Sequence, residues 1–147
     1  MKTIILILIT SLLTVSVQWG GNFEKAKEEA VQNNKYILLN FCGSDWCGPC
    51  IKLKKDIFES EDFQQYADGH LVLVRADFPR QKKNQLDAKQ TAHNEALAEK
   101  YNPQGKFPFT LLLDAHGKVL KEWDGYPKTL STLAFVHDIA LVADASK

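Results

Sequence analysis

The stretch GSDWCGPC, Gly43 to Cys50, places two cysteines three residues apart beside a tryptophan, directly after the apolar run YILLNF. Three readings compete for it: a redox pair, part of a metal site, or a tight turn. What flanks it narrows the choice. Tyr36 to Cys42 is short and nearly continuously apolar, the mark of a strand buried on both faces of a sheet. Pro49 to Phe58 carries Ile51, Leu53, Ile57 and Phe58 among lysines and reads as a helix. The stretch therefore joins a buried strand to a helix.

Working outward, Phe23, Ala26, Ala30 and Val31 recur at helical spacing, predicting a helix that ends near Asn33-Asn34. Ser60 with Glu61 and Asp62 caps a short helix through Tyr66, and His70 to Asp77 is a second buried strand. The polar segment 78–87 is a loop, followed by a helix from about Leu86 to Tyr101. FTLLLD, the turn Ala115 to Lys118 and VLKEW form a hairpin, and Gly125-Tyr126-Pro127 breaks it. A last helix, Thr129 to Val142, presents Leu130, Leu133, Ala134, His137, Ala140 and Leu141 along one side. Alternation ending in a hairpin predicts an α/β fold: a mixed central sheet with helices on both faces and an antiparallel pair at one edge. The opening stretch then lies at the carboxyl end of a central strand, where open α/β sheets carry their sites.

The chain has 147 residues, enough for one domain with a core, with 18 basic and 18 acidic side chains. That balance lacks the basic stripe a nucleic-acid partner requires. The N-terminus differs in kind. Lys2 precedes an apolar stretch from Ile4 to Val17, and charge returns only at Glu24, the outline of a secretory signal peptide. Residues 1–18 are expected to be that leader, with Thr14 and Ser16 permitting cleavage after Ser16, and residues 19–147 the domain. The stretch falls short of the roughly 20 residues that cross a bilayer, so an uncleaved membrane anchor is the alternative. Export, most simply to a bacterial periplasm, is the expectation.

All three cysteines lie between Cys42 and Cys50. A bridge so local removes little entropy from the unfolded chain, which favours a chemical over a structural role. At i and i+3 in a first helical turn, Cys47 and Cys50 face one side within disulfide reach. Unpaired N–H groups and the helix dipole there favour thiolate at Cys47. A thiol of pKa about 8.5 is about 3% ionised at pH 7, and one lowered to about 7 is half ionised. Cys47 is thus the expected nucleophile, and Cys50, deeper and shielded, the resolving thiol that closes the Cys47–Cys50 disulfide. Pro49 suits the first turn, Gly48 leaves the approach open, and Trp46 offers a flat apolar surface.

WCGPC between a buried strand and a helix resembles the thioredoxin family. The resemblance extends from Phe23 to Val142 through Phe107-Pro108 and Gly117, and GSDWC, Asp77-Phe78-Pro79 and the leader together resemble exported bacterial thioredoxin-like proteins more than the minimal cytosolic form. It implies the thioredoxin-like fold, a cis Pro108 facing the dithiol, and a Phe107 backbone that pairs with an extended substrate. The departures are Asn40, where a buried aspartate is common and would help move the resolving thiol's proton, and Phe109, where threonine is usual. Phe109 suggests a more apolar substrate groove. An extra residue in Gly43-Ser44-Asp45 places Asp45 near the site without an evident role.

The expected activity is a thiol-disulfide oxidoreductase, most simply a reductase of protein disulfides, because Gly48-Pro49 puts no cation between the cysteines to stabilise the reduced form. An oxidase or isomerase is the alternative, and from another class a peptide-binding module with a non-essential dithiol. No cofactor beyond the dithiol is expected. The partners would be disulfide-containing proteins and an electron donor at the membrane side, with no nucleic acid, and the chain a monomer. No metal is expected: the Cys42, Cys47, Cys50 spacing lacks a fourth cysteine for an iron–sulfur cluster, and zinc with His70 or His93 leaves Pro49 unexplained. Cys42 reads as a small buried residue at a strand end, with capture of Cys47 under oxidation as its other reading. Arg80-Gln81-Lys82-Lys83 reads as a solvated loop, against a docking patch for an acidic partner.

Overall fold

In the computed structural model, which describes residues 16–146, five strands form one sheet in the order β1-β3-β2-β4-β5. The strands are β1 (Trp19–Gly20), β2 (Tyr36–Cys42), β3 (Leu71–Asp77), β4 (Phe109–Leu113) and β5 (Val119–Asp124). β1, β3 and β2 run parallel, β4 pairs antiparallel with β2, and β5 closes the hairpin. The mixed sheet expected from the sequence is present. The leader expected over residues 1–18 lies almost wholly outside the described residues. From its end, Val17 packs on the core and donates its N–H to Gln64 Oε1 at 2.7 Å.

The helices are α1 (Phe23–Asn33), α2 (Gly48–Leu53), α3 (Glu61–His70), α4 (Ala88–Tyr101) and α5 (Thr132–Ala145). Each of four starts on a side-chain oxygen that accepts an otherwise unpaired N–H: Asn22 for α1, Ser60 for α3, Asp87 for α4 and Ser131 for α5. These caps move two expected starts, Leu86 and Thr129, to Ala88 and Thr132. His70 closes α3 instead of opening β3. α2 runs on as a π-helical turn, Lys54–Phe58, in which Glu59 N–H reaches the Lys54 carbonyl at 2.9 Å.

β2 is buried along its length because its alternate residues feed two cores. Ile37, Leu39 and Phe41 pack with Phe23, Ala30, Leu97 and Tyr101 of α1 and α4. On the other face Leu38 joins Leu53, Phe58, Phe63, Phe135 and Ile139. Burying Phe58, Phe63 and Phe135 together contributes about 1.5–3 kcal/mol for each ring. α5 departs from the expected face: Phe135, Ile139 and Ala143 are buried, while Leu133 is 67% and Leu141 57% exposed. Val31 and Ile51 are exposed as well.

Candidate active site

β2 delivers the chain at Cys42, and five residues later Cys47 caps α2. Its Sγ accepts the Cys50 N–H at 3.3 Å, and its own N–H donates to the Gly43 carbonyl at 2.9 Å. Cys47 and Cys50 are joined as a disulfide with Cα atoms 5.2 Å apart. Both are 5% exposed, so in this oxidised state Cys47 is as shielded as Cys50. Gly48 and Pro49 between them are exposed, which leaves the approach over the turn open.

The cover over Cys47 is aromatic. Trp46 and Phe107 pack on the cysteines, their rings edge to face at 5.4 Å, and Phe78 meets Phe107 in the same way at 5.5 Å. Trp46 Nε1 donates to the Phe78 carbonyl at 2.7 Å, fixing the indole across the loop. Gly43 makes this placement available, since a Cβ there would stand 2.2 Å from the indole ring. The Arg80 guanidinium lies over the Trp46 ring, 3.7 Å from its centroid.

Asp45, without a role at the level of sequence, organises the loop after β3. Its carboxylate accepts the N–H groups of Arg80 and Gln81, each at 2.9 Å, and Asn84 Nδ2 at 3.0 Å. The Arg80 amide above all, and then Asn84, hold its pKa below the ordinary carboxylate value. Asp77 performs the matching task one residue earlier, accepting the Ser44 N–H and hydroxyl. Asp77 was legible in principle: β2 and β3 are in register, so their last residues, Cys42 and Asp77, are neighbours.

Cys42 is free, buried and packed against the disulfide, with its Sγ donating to Asp77 Oδ1 at 3.5 Å. Burial first, and the Asp77 charge second, push its pKa up to about 12, which keeps it a thiol at neutral pH. Asn40 is buried beneath, donating from Nδ2 to Thr110 Oγ1 at 3.0 Å.

The Phe107–Pro108 peptide bond is cis. The Pro108 carbonyl is taken by Gly125 N–H at 2.9 Å, whereas the Phe107 N–H and carbonyl have no hydrogen-bond partner among the described residues. Phe109, expected to make the substrate groove more apolar, lines a pocket with Tyr101, Asn102 and Lys106 and is not among the residues packed on the cysteines. It shares a sheet face with Leu111 and Leu113, and its ring is 4% exposed against Phe41 in the core. The two histidines weighed and set aside as zinc ligands have partners elsewhere: His93 Nε2 accepts the Phe23 N–H, and His70 stacks on Tyr66. Among the described residues no group of three or more His, Cys, Asp or Glu is placed to hold a metal ion.

With this geometry in place, residues 23–138 match the family profile of the thioredoxin-like domain. The chain belongs to the thioredoxin-like family. It is 38% identical over 109 residues to Disulfide bond reductase DsbH of Chlamydia pneumoniae, covering 74% of this chain and 63% of that protein. To Thioredoxin-related protein DsbJ of the same organism it is 29% identical over 86 residues, covering 58% and 24%. The chain thus spans less than two thirds of these curated relatives. A solved structure titled DsbH Oxidoreductase superposes with a TM-score of 0.80 at 30% identity, covering 97% of this chain and 95% of that one. A thioredoxin-fold protein from Helicobacter pylori shares the fold at a TM-score of 0.57 and 24% identity, covering 78% and 72%. In a thioredoxin-like frame, a disulfide at a helix start beneath an aromatic cover is an arrangement suited to thiol–disulfide exchange.

Proposed function

We propose that the chain is a thiol-disulfide oxidoreductase that reduces protein disulfides in an exported compartment, cycling Cys47 and Cys50 without a further cofactor. The observation that carries this reading is the Cys47–Cys50 disulfide capping α2, with Phe107 and the cis Pro108 bond beside it. In the reduced protein, Cys47 at the helix N-terminus attacks a substrate disulfide, and one substrate sulfur leaves with the electron pair. Cys50 then attacks Cys47, releasing the second substrate thiol and restoring the disulfide. The unpaired Phe107 N–H and carbonyl suit an extended substrate segment, and Trp46 and Phe107 give its cysteine an apolar seat.

Two features favour the reducing direction: the turn residues Gly48 and Pro49 supply no cation, and a relative sharing 38% identity bears the name of a disulfide bond reductase. The expected leader favours an exported site of action, where electrons must come from a donor at the membrane side. Among the described residues no helix is long and apolar enough to cross a membrane. Equilibration of the Cys47–Cys50 pair with glutathione, together with turnover on insulin, tests the proposal. A reductase should sit near or below about −230 mV, whereas a potential near −120 mV, that of a dedicated oxidant, would overturn it.

A further inference from the structure

Behind the disulfide, Cys50 shares a cavity of about 110 Å3 with Asn40, Cys42, Ser44, Lys54 and Arg75. No carboxylate lines it, and its two charged residues are cations. Lys54 has a counter-charge in Glu59, 3.4 Å away and more than half exposed. Arg75 has none. Its guanidinium lies 4.5 Å over the Trp19 ring, and its Nε is buried without a hydrogen-bond partner among the described residues. It takes part in none of the ion pairs found there. Its register neighbour across the β2–β3 ladder is Asn40, whose Nδ2 is already given to Thr110.

Arg75 is half-buried, but an Nε buried without a partner is costly, and its presence beside the cavity points to a partner supplied by another state of the protein. Reduction supplies one. It converts Cys50 Sγ from a neutral disulfide sulfur into a group able to carry negative charge. We propose that Arg75 is a positioning residue for the resolving step, holding the reduced Cys50 as its thiolate by uncompensated charge in a site with no carboxylate base.

This rests on Cys50 as the resolving cysteine of the proposed cycle. The Cys50 proton passes through the cavity to solvent, and the thiolate attacks Cys47 Sγ of the mixed disulfide. The Cys47–Cys50 bond forms as the Cys47–substrate bond breaks, and the electron pair leaves on the substrate sulfur, which takes a proton from solvent. The dithiol has then lost the two electrons that the substrate disulfide has gained. The groups around Cys50 act in both senses. Lys54 reinforces Arg75, and Asp77, tied to Cys42 and Ser44, opposes it. The same balance acts on the neighbouring Cys42, where burial and Asp77 raise the pKa while Arg75 and then Lys54 lower it.

The test uses the Cys47→Ser variant of the full domain, labelled at cysteine, in which the Cβ carbon shift of Cys50 is titrated separately from that of Cys42. Adding Arg75→Gln should raise the Cys50 pKa by about one unit or more, a tenfold loss of thiolate at a fixed pH below it. Arg75→Lys should recover at least half of that shift. Asn40→Asp, which gives Arg75 a carboxylate, should raise the pKa with Arg75 in place. If Arg75→Gln does not fold by circular dichroism, Asn40→Asp decides. A Cys50 pKa that stays put in whichever of these two variants folds overturns the proposal. The titration needs no substrate, so a shifted pKa in a protein that fails to reduce insulin would sink the functional reading and leave this one standing.

Discussion

The Asp45 carboxylate accepts the backbone N–H of Arg80 at 2.9 Å, tying the loop that carries the disulfide to the loop that follows β3. Through this bond Arg80 is held over Trp46. The pKa of Asp45 is depressed in the fold, so its hold on the loop is complete at neutral pH and is lost as pH falls through that depressed value. The amide proton shifts of Arg80 and Gln81 should titrate together below the ordinary aspartate range and lose that step in Asp45→Asn. Amides that titrate at the ordinary value, or keep the step in the variant, would contradict this.

Gly43 is required by the proximity of Trp46 and not by its backbone angles. In Gly43→Ala the new Cβ must displace the indole, an overpacking that costs about 1–3 kcal/mol. Denaturant midpoints should fall accordingly, with a change in tryptophan fluorescence as Trp46 leaves its bond to the Phe78 carbonyl. Unchanged stability and emission would show that the loop yields freely.

The two active-site thiols have separable tasks. Cys50→Ser should accumulate a mixed disulfide between Cys47 and a substrate, visible on a non-reducing gel. Cys47→Ser should accumulate none and lose turnover by about two orders of magnitude or more. If Cys47→Ser forms the adduct instead, the assignment of nucleophile is reversed.

Cys42 leaves a mark on stability at alkaline pH. Its pKa is about 12 in the fold against 9.0 for a free thiol, so between those values the unfolded chain ionises first. The folded state should therefore lose stability as pH rises from about 9, at a slope approaching 1.4 kcal/mol per pH unit. Cys42→Ala should remove that component. Denaturant titrations of both proteins at pH 8 and pH 10, with the disulfide intact, measure the difference; equal slopes would refute it.

Much of the fold was legible because its strands are apolar runs and its site is a local string. Tyr36–Cys42 and WCGPC needed no tertiary information. α5 misled because LAFVHDIALV is apolar on two faces, and helical periodicity does not say which one meets the sheet. Phe135 and Ile139 won through the aromatic cluster that Phe58 and Phe63 had already formed. Trp19–Gly20 is too short to show any period and is a strand only because β3 offers an edge. Family likeness points Phe109 towards the substrate, whereas strand alternation from Leu111 puts its ring in the core. Asp45 meets Arg80, and Arg75 meets Asn40 and Trp19, across 35 or more residues of chain, through contacts that no local pattern encodes.

The π-helical turn at Lys54–Phe58 fixes the phase between the two ends of one helix. Cys50 must face the disulfide site at one end, while Ile57 and Phe58 are both buried at the other and the Asp56 carbonyl accepts from Thr132 in α5 at 3.1 Å. Deleting any one residue of the turn would restore regular hydrogen bonding, and would swing everything behind it by about 100° relative to Cys50. Substitutions along this segment are thus a matter of side-chain size and charge, whereas its residue count is an angular setting that the reactive turn and the distal core hold in common.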